Sequence, residues 1–215
     1  MHRIPRDFLV AITYFTRLPL LAATALHAKL ARLGLAAPAR LVSSPLQRCA
    51  RMARALAGAA GSPGYPAPEF AEALREMHFG NWELRRWDEI PRAEIDAWNA
   101  DMEHAAPHGG ESLAQFSRRL LDWHARMHAE GGAPRRDAGP AAVGTTGAVT
   151  ERSAGAAGSA EDSEAGAVII VAHAGVIRLL GAAILDLPLD RVVRWKLDFD
   201  GVCAFREGKL VCWNT

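Results

Sequence analysis

Three short segments of this 215-residue chain carry an arginine, a glutamate and a histidine in settings that suit chemistry on a phosphate ester. His173 follows Val168-Ile169-Ile170-Val171, a β-branched run of the kind found in strands buried on both faces, and precedes the small residues Ala174-Gly175. A helix starting there would aim its first amides and the positive end of its dipole at the histidine, a favourable place for an anion. Arg48 falls about one turn into a helix predicted after Ser43-Ser44-Pro45, where a guanidinium can donate a planar pair of hydrogen bonds to phosphate. Glu76, within Leu74-Arg75-Glu76-Met77-His78-Phe79-Gly80-Asn81-Trp82-Glu83, can protonate a leaving alkoxide if burial raises its pKa, and Glu83 competes for that role. Each residue alone also fits a plainer part: a hydrogen-bonded core histidine, a surface arginine like Arg51 or Arg54, a surface glutamate. Such chemistry also needs a group to attack phosphorus, and no second histidine in an Arg-His-Gly triplet precedes these segments.

The elements that must position these groups are legible from periodicity and turn chemistry. Leu21, Ala25, Leu26, Leu30 and Leu33 recur at helical intervals, predicting an amphipathic helix over 20–35 stopped at Gly34. The spacing predicts a short buried strand over 39–43 and a helix over 46–59 with Pro45 in its first turn. The 61–68 stretch is loop by composition. Several short helical stretches are expected over 82–101, packed through Trp87, Ile90, Ile95 and Trp98. A long helix follows Gly109-Gly110-Glu111-Ser112, running from 113 to about 129, with Phe116, Leu120, Leu121 and Trp123 on its buried side. Residues 131–166 are nearly all small or polar and cannot bury enough surface to offset ordering entropy, so they predict a disordered insertion. A helix is expected over 174–185. Closing strands are expected over 195–199 and 202–205, with a hairpin turn at Glu207-Gly208-Lys209 leading into 210–213. This alternation predicts an α/β sandwich with its site at the carboxyl edge of the sheet.

The chain is long enough to bury the core of one domain, and its formal net charge of +1 gives no electrostatic footprint for nucleic acid. Cys49, Cys203 and Cys212 are odd in number and lack metal-ligand spacing, which predicts buried free thiols in a reducing cytoplasm. Phe8 to Phe15 is an apolar run behind Arg3 and Arg6. Asp7, Arg17 and Pro19 make it a poor signal or spanning helix, so a cytoplasmic, soluble protein is expected.

Taken in order, Leu41-Val42-Ser43-Ser44-Pro45-Leu46-Gln47-Arg48-Cys49, Phe79-Gly80-Asn81-Trp82-Glu83 with Trp87-Asp88-Glu89-Ile90-Pro91, Gly109-Gly110-Glu111-Ser112, and Trp195-Lys196-Leu197-Asp198-Phe199 with Gly201-Val202-Cys203 resemble the histidine phosphatase superfamily. Within it they look like the α-ribazole-5′-phosphate phosphatase branch of cobalamin synthesis, over roughly residues 18–130 and 167–213. The resemblance implies a phosphoglycerate mutase-like, three-layer α/β/α sandwich with a mostly parallel sheet. It implies a phosphate clamp at Arg48, a proton donor at Glu76 and a second pocket histidine at His173. It implies a small phosphorylated substrate, and neither metal nor cofactor, since positive side chains and helix amides stabilise the charge.

The departure lies at the start. In that family the histidine of an Arg-His-Gly motif ending the first strand becomes phosphorylated, whereas here residues 7–19 resemble the opening of the membrane-bound adenosylcobinamide-GDP ribazoletransferase. A junction between neighbouring genes, a shifted start or a frameshift would each account for this, and the chain divides into an atypical segment, 1–17, and a phosphatase-like domain, 18–215, carrying the insertion at 131–166. The run from Phe8 to Phe15 is apolar enough to fill the slot of the first strand and bring Thr13, Thr16 or Arg17 toward the pocket. The sequence thus supports three readings: an impaired phosphomonoester hydrolase, a non-catalytic binder of phosphorylated ligands, and a cobalamin synthase remnant.

Overall fold

Short strands whose side chains alternate between two helical layers organise the molecule. The computed structural model describes residues 8–13, 19–34, 38–58, 65–130, 167–192 and 194–215. The strands β1 (Phe8–Thr13), β2 (Arg40–Ser43), β3 (Glu69–Phe70), β4 (Val168–Ala172), β5 (Val202–Arg206) and β6 (Lys209–Cys212) form one sheet in the order β3-β2-β4-β1-β5-β6. The run β3-β2-β4-β1 is parallel, while β5 lies antiparallel to β1 and β6 antiparallel to β5. The first-strand slot is filled as expected for residues 8–13: β1 sits centrally, with Leu9 opposite Val168 and Thr13 opposite Ala172.

Helices α1 (Pro19–Arg32), α2 (Gln47–Gly58), α3 (Arg92–Ala100), α4 (Leu113–Glu130), α5 (Ala174–Leu185) and α6 (Leu189–Val192) complete the chain. One face of the sheet sends Leu41, Ile169, Val171, Val202 and Ala204 into a core with Ala23, Leu26 and Leu30 of α1 and Met52, Ala53 and Leu56 of α2. The other sends Val42, Ile170, Ala172, Cys203 and Phe205 against Phe116 and Leu120 of α4 and Val176, Ile177 and Leu180 of α5. This period-two division places helices on both faces, the three-layer arrangement. Every residue of β4 is buried, as its unbroken apolar run implies.

Several sequence expectations are corrected. Residues 195–199 form no strand. They are held by side chains instead: Arg178 Nε donates to the Trp195 carbonyl at 3.1 Å, Trp213 Nε1 to the Lys196 carbonyl at 2.7 Å, and Asn214 Oδ1 accepts from the Asp198 amide at 2.8 Å. Helix α2 starts at Gln47, with the Leu46 carbonyl taking its first bonds and Pro45 just outside. In α1 the core-facing alanine is Ala23, and Ala25 is exposed. Leu121 is 39% exposed because it falls off the Phe116–Leu120 stripe of α4. Trp87 is 60% exposed although it stacks on Trp98, and Trp82 is the buried member of that cluster. The predicted insertion at 131–166 lies outside the described residues, as do Thr16 and Arg17. Among the described residues no helix is long and apolar enough to cross a membrane.

Candidate active site

Two parallel neighbours in the sheet bring the histidine and arginine segments together at the carboxyl edge. The strand β2 ends at Ser43 opposite Val171 of β4, and the Ser44 amide donates to the Val171 carbonyl at 2.9 Å, so Ser44 and His173 emerge side by side. Arg48, in the first turn of α2, donates from Nε to His173 Nδ1 at 3.1 Å. Because a guanidinium only donates, Nδ1 must carry the lone pair, and the ring proton sits on Nε2, 2.8 Å from Ser44 Oγ. The same hydroxyl accepts from the Leu46 amide at 3.2 Å. His173 is thereby fixed as a neutral Nε2–H tautomer, with the Nη groups of Arg48 left over from this contact. Its pKa is pushed down to about 3, first by burial and then by the charges of Arg48, Arg119 and Arg75.

Glu76 reaches the same place from the segment before α3. Its Oε2 accepts from the Gly175 amide at 3.3 Å and its Oε1 from the Met77 amide at 3.1 Å, which puts the carboxyl group at the N-terminal turn of α5. Burial raises its pKa and outweighs the opposing effects of both amides and of Arg48 and Arg178. A side chain at Gly175 would overlap Glu76 Oε1, so the absence of a Cβ there is what admits the carboxyl group. A carboxyl group whose pKa burial raises, a neutral histidine and nearby guanidinium groups suit protonation of a leaving oxygen beside a bound phosphate.

Arg119 of α4 holds the Glu76 segment in place. Its five N–H groups reach Glu111 Oε1 (2.7 Å) and Oε2 (2.8 Å) and the carbonyls of Ala73 (2.6 Å), Arg75 (3.1 Å) and Glu76 (3.3 Å). The Glu111 amide in turn donates to the His78 carbonyl at 2.8 Å, where Gly80 and Gly110 let the two loops pass at a distance no Cβ would permit.

Of the residues singled out from sequence, Arg48, Glu76 and His173 converge. Glu83 does not: it is exposed, and its Oε1 accepts the Phe79 amide at 3.0 Å, a turn-closing role. Thr13 ends β1 at the same edge, opposite Ala172. Ser44, Arg119 and Arg178 went unassigned. Arg178 was detectable as the only charged residue in α5, while the role of Arg119 depends on contacts 43 to 46 residues away. Cys49 lies 3.6 Å from His173 Nε2, but burial pushes its thiol up to about 12, so it is an inert neighbour. Among the described residues no group of three or more His, Cys, Asp or Glu side chains could hold a metal ion.

The chain matches the model of the histidine phosphatase superfamily (branch 1) over residues 19–135 and 132–209. It is 26% identical over 152 residues to an adenosylcobalamin/alpha-ribazole phosphatase of Salmonella typhimurium, covering 69% of this chain and 57% of that one. It is 33% identical over 158 residues to a glucosyl-3-phosphoglycerate phosphatase of Mycolicibacterium vanbaalenii, covering 71% of this chain and 56% of that one. The chain thus spans less than two thirds of the length of these relatives. Its fold matches the crystal structure of the alpha-ribazole phosphatase from Shigella flexneri with a TM-score of 0.68 at 21% identity, covering 97% of this chain and 96% of that one. It matches the native structure of a mycobacterial glucosyl-3-phosphoglycerate phosphatase with a TM-score of 0.64 at 22% identity, covering 96% and 98%. With its three-layer sheet of the phosphoglycerate mutase type and the family match running through most of its length, the chain belongs to the histidine phosphatase superfamily.

Proposed function

We propose that the chain acts on a small phosphate monoester, with α-ribazole 5′-phosphate the substrate, and hydrolyses it at a reduced rate. The observation that carries this reading is the convergence of Arg48, His173 and Glu76, whose pKa burial raises, at the start of α5. Arg48 clamps the phosphoryl oxygens through its Nη groups, His173, itself held by Ser44, orients that guanidinium through Nδ1, and Glu76 gives its proton to the leaving alkoxide. A groove of about 930 Å³ beside Glu76, lined by Arg75, His78 and Arg126 among others, leaves room for the alcohol portion. No Arg-His-Gly triplet occurs in the sequence to form a phosphohistidine. Water oxygen therefore bonds to phosphorus as the ester P–O bond breaks, the water proton passing to solvent. Loss of a covalent nucleophile lowers turnover by roughly three to six powers of ten in enzymes of comparable logic.

Phosphate release from α-ribazole 5′-phosphate and from p-nitrophenyl phosphate tests the reading. Slow release abolished in His173→Ala and in Glu76→Gln supports it; release unchanged in both variants overturns it. The same missing triplet favours a second reading, a non-catalytic holder of phosphorylated ligands. Saturable binding of α-ribazole 5′-phosphate that needs Arg48, with no release, would decide for that one.

A further inference from the structure

On α4, outside the cluster around His173, two histidines one turn apart aim the same ring atom at each other. Phe116 and Leu120 face the core with Met127, and His124 and His128 continue the i, i+4 row that Phe116 and Leu120 begin. Their Nε2 atoms are 2.9 Å apart, and the rings meet edge to face with centroids 4.3 Å apart. At this distance one Nε2–H donates to the lone pair of the other Nε2, or a cation takes the place of that proton.

We propose that His124 and His128 form a two-imidazole site for a divalent transition ion of square-planar or octahedral preference, Cu(II) or Ni(II), with water completing the coordination. The separation selects the class of ion. Imidazole nitrogens bind such ions at about 2.0–2.1 Å, so a nitrogen–nitrogen distance of 2.9 Å subtends about 90° at the metal. That is the cis angle of tetragonal and octahedral complexes. Tetrahedral zinc would need the nitrogens about 3.3 Å apart, which the helix must distort to supply. Both rings lie on one α-helix, so the site is built locally. Burial and the neighbouring His128 push His124 down to about 4, leaving its imidazole neutral, the form that ligates, at neutral pH. Without metal, one Nε2–H donates to the other Nε2. On binding, that proton is relocated to Nδ1 by tautomerisation and both Nε2 lone pairs face the ion.

The test is titration of the full chain with NiCl2 and, separately, ZnCl2, followed calorimetrically, in a His2→Ala background that removes the amino-terminal imidazole from competition. The expected result is one equivalent of Ni(II), bound at least tenfold more tightly than Zn(II) and weakened at least tenfold by either His124→Gln or His128→Gln. The double variant should be no weaker than the singles. Melting curves control for folding: Ni(II) should raise the Tm of the parent and leave that of the variants unmoved. Ni(II) affinity within threefold of the parent in both variants, or no binding at millimolar Ni(II), would overturn the proposal. A preference for Zn(II) would overturn the geometric argument.

Discussion

Removal of the Arg119 guanidinium is the most informative perturbation, because the effect can be worked out without assuming turnover. Arg119→Ala deletes a bidentate ion pair with Glu111 and three bonds to the carbonyls of Ala73, Arg75 and Glu76. The two side chains are 29% and 17% exposed, so water rehydrates part of what is left, and the cost falls below that of a fully buried pair. Taking about 1 kcal/mol for each charge-assisted bond and a few tenths for each shared carbonyl bond gives about 3 kcal/mol. For a domain of this size that lowers Tm by roughly 6–12 °C. Lysine cannot reproduce the planar fork, and Arg119→Lys should lose about 2 kcal/mol. Glu111→Gln keeps one acceptor and should cost about 1 kcal/mol, and a double-mutant cycle should give a coupling of about 1–2 kcal/mol. Urea denaturation of the four proteins measures all of these. A loss below about 1 kcal/mol for Arg119→Ala, or a coupling near zero, would refute the view that this clamp holds the Glu76 segment.

Three further outcomes are expected. Gly175→Ala should expel Glu76 from the Gly175 amide, since the added Cβ also comes within 3.2 Å of Phe116 Cε1; a loss of about 1–3 kcal/mol in urea denaturation and of any phosphate release is expected, and parent-like behaviour would count against the placement. His173 titrates at about 3 when folded and at 6.5 ordinarily, so the unfolded chain takes up its proton first as pH falls between those values; stability should drop by up to about 1.4 kcal/mol per pH unit more in the parent than in His173→Gln, and equal slopes would show that the ring is not buried neutral. Glu76, shifted the other way, is common to both proteins and cancels from that comparison. Orthovanadate binding, read by calorimetry, should weaken at least tenfold in Arg48→Ala but less than threefold in Arg51→Ala, because only Arg48 reaches His173; equal effects would make Arg48 an ordinary surface residue.

Most of the local structure was legible in the sequence, because local structure follows from local pattern. The β-branched run before His173 is typical of a doubly covered strand and forms one, and the helix expected over 174–185 runs from Ala174 to Leu185. Ordered motifs around Arg48, Glu76 and His173 were enough to suggest the family. Periodicity misled where side-chain contacts replaced a ladder: residues 195–199 have strand-like composition, but their backbone groups are taken by Arg178, Trp213 and Asn214. The family resemblance points to Glu76 rather than Glu83, but the physical reason for that choice lies in the tertiary structure. Glu76 and Glu83 are equivalent as letters, and only the bare Gly175 backbone at the start of α5 leaves room for one of them. It also decided the ring state of His173, since a tautomer depends on partners 125 and 129 residues distant. Sequence specifies chain direction and burial period, whereas a proton's position is set by whatever the fold brings within 3 Å of it.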